Sequence, residues 1–413
     1  MDLILKNARL ADPPPDRAAA PALDIGIEGG RIVALEPNLA SDGATYDCGG
    51  RLVCGGFVET HIHLDKSRII DRCSPEVGRE ARAVARVAAV KHTMSVEDVH
   101  VRARATLEQA ILHGTTRMRT HVEIDPGIGL RGYEGVAALI DEYKWAIDLE
   151  ICAFPQEGLT NNPGTYELIA EALRRGARAV GAAPGYDTDH PGQIRQIFAL
   201  ARAFDAEIDM HLDFGNEPRD LDVDLVCELT EAYGMGGRVA VGHMTKLAVL
   251  PPQTLAAYAR RLGDAGIAVT VLPATDLFLM GRDQDHAVRR GLADAAMLVE
   301  HGVNCSLSSN NILNPFTPFG DCSPIRMANL HANVTQLSRP GQLADCFDML
   351  TTRSARLLNL GDYGVRIGNP ADLAVIDAET REQAVAELRE PLAVWKRGTR
   401  TVTRPRPELH RPH

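Results

Sequence analysis

Long apolar runs are missing from this 413-residue chain. No stretch approaches the ~20 consecutive residues that a membrane helix needs. Positive charge is in deficit: 44 Lys and Arg stand against 55 Asp and Glu, a formal net charge of −11, which argues against nucleic acid or an anionic membrane surface as partner. Paired cysteines are lacking too. The eight cysteines form no C-x-x-C unit and no regular spacing, so they read as reduced, mostly buried thiols. The opening Met1–Lys6 segment has neither the basic region nor the apolar core of a signal peptide, and the expected location is the cytoplasm. With 45% apolar, 24% charged and 5% aromatic residues, disorder, collagen and small disulfide scaffolds are excluded. What remains is a globular protein with a small-molecule partner.

Both ends of the chain carry short β segments. Near the start they are Leu3 to Ala8, Leu23 to Glu28, Arg31 to Glu36 and Arg51 to Val53, punctuated by Pro13-Pro14-Pro15, Gly29-Gly30 and Gly49-Gly50. Near the end they are Ala371 to Asp377 and Leu392 to Arg400. Residues 1–56 and 365–413 are therefore expected to build one small β domain. Between them, over 57–364, apolar strands alternate with amphipathic helices, as in βαβ units on a parallel sheet. Ser95 and Asp98 resemble a capping box opening a helix that stops at Gly114. Eight strands are predicted: Phe57 to Leu64, Thr115 to Val122, Leu149 to Phe154, Ala179 to Pro184, Glu207 to Asp213, Arg238 to His243, Ile267 to Leu272 and Asn304 to Ser308. That number points to a (β/α)₈ barrel, whose chemistry sits at the carboxyl ends of its strands.

The most informative segment is GGFVETHIHLDK, Gly55 to Lys66. Side chains on a strand repeat every two residues, so His61 and His63 point to one side, the barrel interior. H-x-H alone is a weak signal. Its weight comes from His211 and His243 at the ends of the fifth and sixth strands and from His121 near the end of the second: five of the fourteen histidines converge on one rim.

With these residues the chain resembles the amidohydrolase superfamily, and within it the cytosine deaminase and N-isopropylammelide aminohydrolase branch. The resemblance runs through THVEID (from Thr120), ICAFPQEG (from Ile151), AEIDMHLD (from Ala206), VAVGHMTKL (from Val239), MGRDQDHAVRRG (from Met280) and GNPADLAVID (from Gly368). It implies a distorted TIM barrel with a small β-sandwich domain made by both termini. It also implies one divalent metal ion on His61, His63 and His211, with Zn²⁺ the first expectation and Fe²⁺ also suited to imidazole. No lysine ends the fourth strand, where Ala182-Ala183-Pro184 stands, so a two-metal centre is disfavoured. His243 occupies the place of a histidine near the attacked oxygen, able to stabilise charge or move a proton. Gln156 occupies that of a carboxamide facing the substrate, although a glutamine closing the turn after Pro155 is the plainer reading. Lys66 either binds a substrate oxygen or pairs with Asp65 or Glu123.

Two departures from the family pattern stand out. Phe214 replaces the proton-shuttling glutamate, with Glu217 three residues further on. Asn310 and Asn311 replace two aspartates after the last strand, and a carboxamide is a poorer ligand than a carboxylate and no base at pH 7. Asp213, two residues after His211, is the expected substitute, with Glu217 or Asn310 as further options. The implied activity is hydrolysis of a non-peptide C–N bond in a small, cyclic nitrogenous compound. The competing reading is a non-hydrolytic heterocycle binder, or a lyase or isomerase, on a degenerate metal site. The sequence leaves homo-oligomer formation open.

Overall fold

The computed structural model describes residues 1–13, 22–40, 42–73 and 82–411; Pro14 and Pro15 of the predicted proline turn lie outside them. Sixteen strands are assigned among these residues. β1 (Leu3–Leu10), β2 (Leu23–Glu28), β3 (Arg31–Glu36), β4 (Ala44–Asp47) and β5 (Leu52–Gly55) come from the start of the chain. β6 (Phe57–Ile62), β7 (Thr115–Glu123), β8 (Asp148–Phe154), β9 (Ala179–Val180), β10 (Glu207–Leu212), β11 (Val239–His243), β12 (Ile267–Val271) and β13 (Cys305–Leu307) fill the middle. β14 (Leu373–Ile376), β15 (Pro391–Lys396) and β16 (Thr399–Thr403) follow.

The terminal strands form one sheet in the order β16-β15-β14-β5-β1-β2-β3, with β4 paired to β1. Its inner face packs Leu5, Ile25, Val53, Leu373 and Trp395 into a core of their own, and Trp395 meets the edge of Tyr46 at 5.0 Å. The predicted strand Leu392 to Arg400 is in fact a hairpin. Arg397 (φ 47°) and Gly398 (φ 76°) turn it, two positive-φ residues that match the twist of the flanking strands. β4 was not legible, because its residues are mostly exposed and show no alternation.

The middle strands form a parallel sheet in sequential order, β6 to β13. It closes where Asn310 bridges Ile62: the His63 N–H donates to the Asn310 carbonyl at 2.8 Å and the Asn310 N–H to the His61 carbonyl at 2.9 Å. This is the (β/α)₈ barrel, with the β-sandwich of both termini beside it. The helix Val96–Leu112 starts where expected: the Ser95 side chain accepts the Asp98 N–H at 3.1 Å, and Gly114 follows its end at φ 91°. The fourth barrel strand is shorter than predicted because Pro184 opens a tight helical turn, Pro184–Tyr186.

Candidate active site

His61 and His63 enter from β6 and the residue after it, and His211 from β10. The rings of His61 and His63 are buried within the barrel mouth and that of His211 is half-buried. Their Nε2 atoms converge: His211 lies 3.2 Å from His61 and 3.1 Å from His63. Ligand nitrogens around a tetrahedral ion bound at 2.0–2.1 Å sit roughly 3.3 Å apart, so the donor set has the spacing and chemistry of an imidazole metal site. Burial, reinforced by neighbouring rings, depresses the basicity of all three. His61 is held down to about 3, and His63 and His211 fall well below their ordinary value. Neutral imidazole is the form that binds metal. The fit is further supported by Gly242, where a Cβ would stand 3.1 Å from the His61 ring.

Beneath the claw lies a carboxylate that the sequence reading did not single out. Asp209 is fully buried, with Oδ1 3.6 Å from His61 Nδ1 and 3.4 Å from His121 Nε2. Burial opposes its charge, but His121 and His61 hold the carboxyl well below the usual range. Its other oxygen faces Arg119 at 3.3 Å, which in turn pairs with Glu150 at 2.6 Å and with Glu207. A carboxylate behind a ligating histidine fixes the ring's orientation and tautomer. His121 stacks on His61 with ring centroids 3.8 Å apart and so joins the rim without joining the three-nitrogen set. The signal for Asp209 was available: Asp209-x-His211, like Glu59-x-His61-x-His63, places an acid on the histidine's side of the strand. Glu59 also sits inside, where burial pushes it up to about 7; it accepts the His61 N–H at 3.2 Å.

Asp213 does not follow that alternation. β10 ends at Leu212, and Asp213 turns to φ 47°. Its carboxylate accepts the N–H groups of Asp222 (2.9 Å) and Val223 (3.0 Å), so it serves the start of the next helix and stands outside the histidine set. Glu217 is exposed beside Arg219. Asn310 is the replacement residue that does reach the claw. It is buried at φ 59°, bonded to His61 and His63 through its main chain, and both polar atoms of its side chain lack a protein partner. Asn311 is also buried, and its Oδ1 accepts from Asn314 at 2.7 Å.

Lys66 donates to Glu123 and to Gln156 Oε1, each at 2.9 Å, and lies over Phe154 and Phe316. An ammonium has donors only, so it fixes the Gln156 amide with its carbonyl toward Lys66 and leaves Nε2 as the donor side. Of the two expected partners of Lys66, the structure selects Glu123; the Asp65 carboxylate instead accepts the Glu123 N–H. Phe214 is 39% exposed and its ring stands edge-on to His243 at 5.2 Å. His243 itself lies 5.3 Å from the His211 ring, with Nδ1 2.5 Å from the carboxylate of Asp276, a residue the sequence reading also passed over. Asp187 is buried and accepts the Leu159 and Thr160 N–H groups, tying the loop after β8 to the one after β9. Cys305 is core: burial pushes its thiol up to about 12.

Comparison with known proteins decides the family. The model described as "Amidohydrolase family" matches residues 133–402. The chain belongs to the amidohydrolase family. It is a hydrolase of carbon–nitrogen bonds other than peptide bonds, and the non-hydrolytic reading falls away. It is 27% identical over 409 residues to N-isopropylammelide isopropyl amidohydrolase of Pseudomonas sp. (strain ADP), covering 96% of each chain. It is 25% identical over 381 residues to pterin deaminase of Rhizobium rhizogenes, covering 91% of this chain and 86% of that one. Its structure superposes on 5-methylcytosine deaminase from Klebsiella pneumoniae liganded with 5-fluorocytosine with a TM-score of 0.92, at 28% identity and full coverage of both chains. The family is metal-dependent, in keeping with the histidine set. No helix among the described residues is long and apolar enough to cross a membrane.

Proposed function

We propose that this amidohydrolase removes an amino or alkylamino group from a small nitrogen heterocycle, using one divalent ion, Zn²⁺ first, held by His61, His63 and His211. The observation that carries this is the convergence of the His61 and His63 Nε2 atoms on that of His211, at 3.2 and 3.1 Å. The names of the similar proteins support the substrate class, since ammelide, pterin and cytosine are all planar ring compounds. An ion there supplies Lewis acidity toward water and the susceptible carbon.

The protein's own groups divide the remaining work. Gln156 offers its N–H₂ side to an acceptor on the ring, with the amide held by Lys66. His243 is the base and acid: its Nε2 takes a proton from the attacking water as the C–O bond forms. It returns that proton to the nitrogen as the C–N bond breaks, so that water plus the amine-bearing ring yields a carbonyl and a free amine. Phe214 covers His243 and gives the ring an apolar wall where a charged shuttle would stand. Asn310 lends its unpartnered carboxamide to the claw. Eight free, buried cysteines suit a reducing compartment, which supports the cytoplasm as the place of action.

The test is metal content after purification, followed by turnover of N-isopropylammelide, 5-methylcytosine and pterin. Stoichiometric metal, turnover of at least one of these, and loss of both in His61→Ala are the expected results. Full activity without metal, or in His61→Ala, would sink the proposal.

A further inference from the structure

We propose that Asp276 is a positioning residue that locks His243 in the tautomer carrying its proton on Nδ1, so that Nε2 is free to exchange protons with substrate. This rests on the proposed role of His243. Asp276 lies in the first turn of the short helix Pro273–Leu279, which follows β12. Its side chain is fully buried, and a carboxylate without a partner is costly there. The partner is His243: Oδ1 lies 2.5 Å from Nδ1, a charge-assisted contact. The other oxygen meets the Leu272 N–H at 3.4 Å, so the carboxylate is anchored at both ends.

An ionised carboxylate only accepts, so the ring atom facing it must bear hydrogen. In a neutral imidazole the other nitrogen is then bare, and here that is Nε2. The main chain of His243 is held at φ 70°, followed by Met244 at φ 51°, a conformation that non-glycine residues keep only when their surroundings impose it. The Met244 N–H, bonded to the Leu212 and Gly242 carbonyls at 3.1 Å each, holds that turn, and the Asp276 contact orients the ring it presents. With Phe214 in place of an acidic shuttle, a single ring performs both proton steps, and a ring in the wrong tautomer performs neither.

Two measurements on the metal-loaded, full-length protein test this. In protein labelled with [¹⁵N]histidine, with His243 assigned by the signals lost in His243→Asn, the wild type should show hydrogen on Nδ1 and a bare Nε2. Asp276→Asn should populate the opposite tautomer and Asp276→Glu should restore the original one, with metal content unchanged in both. An identical ring pattern in wild type and Asp276→Asn would overturn the proposal, and so would loss of metal from the variant. On whichever of N-isopropylammelide, 5-methylcytosine or pterin is turned over, Asp276→Asn should lower kcat about 10²–10⁴-fold with KM changed only a few-fold. The double variant with His243→Asn should be no slower than His243→Asn alone. Additive losses would count against the pair. If none of the three compounds is turned over, the functional reading fails while the tautomer measurement still decides this one.

Discussion

The ammonium of Lys66 sits 2.9 Å from the carbonyl oxygen of Gln156 and the same distance from Glu123, deep in the barrel mouth. Lys91, from the end of the helix Ala83–Lys91, lies on the far side of Glu123 at 2.9 Å and also pairs with Glu157 at 2.6 Å and with Asp125. Burial opposes the charge of Glu123, but the two lysines hold it down to about 2. The Gln156 amide, proposed to face the substrate, thus stands at the end of a chain of alternating charges.

Lys66→Met is expected to free the Gln156 amide to rotate. A hydrogen bond to a charged group contributes roughly 1.5–3 kcal/mol, so kcat/KM should fall about 10- to 100-fold while metal content stays constant. Steady-state kinetics beside metal analysis checks this; unchanged kinetics would show that Gln156 needs no such support.

Gly242→Ala places a methyl group 3.1 Å from the His61 ring, tighter than ordinary van der Waals contact. The ring must shift, and metal affinity should drop at least about tenfold, as it does when a ligand's orientation is disturbed. Competition with a chromophoric chelator measures it.

Asn310→Asp puts a carboxylate where an unpartnered carboxamide now sits beside the claw. Divalent-metal affinity is expected to rise, while the metal-free variant should unfold at lower temperature than the metal-free wild type, because the new charge is buried without compensation. Equal affinity would place the side chain outside the coordination sphere.

In metal-free protein the claw makes stability pH-dependent. His61, His63 and His211 bind protons far less readily folded than unfolded, so their contribution to stability is complete above about pH 6.5 and falls with pH below it, for His61 as pH falls toward 3. Glu59, raised to about 7, and Asp213, raised to about 6, bind protons more readily folded. They offset part of the loss, Asp213 between about pH 4 and 6 and Glu59 between about pH 4.5 and 7. The decline should steepen below pH 4, where Glu123 also begins to lose its salt bridges. Denaturant titrations at several pH values test this, and a flat profile from pH 6 to 3 would contradict it.

The barrel was legible because its strands are largely buried and read as apolar runs between helices; all eight predicted starts fall within one residue of the observed ones, five of them on the same residue, as at Phe57, Thr115 and Ala179. The three-histidine set was legible from alternation and from strand ends. The supporting acids were less so. Asp209 shares its strand with His211 and could have been read from the two-residue period, whereas Asp276 meets His243 across 33 residues of chain, and nothing local in a P-A-T-D segment announces that contact. Asp213 was misread for the converse reason: alternation was carried one residue past the point where β10 stops.

The ring of strands is fastened at Asn310 by main-chain bonds to the two residues flanking Ile62, and lower down by hydroxyls, Thr60 to Ser306 at 2.8 Å and to Ser308 at 2.7 Å. One clasp therefore serves two purposes, completing the hoop and setting the spacing of the imidazoles on either side of it. With an ion held as proposed, its removal and the opening of the hoop are coupled events, and a chelator should make this protein more vulnerable to heat.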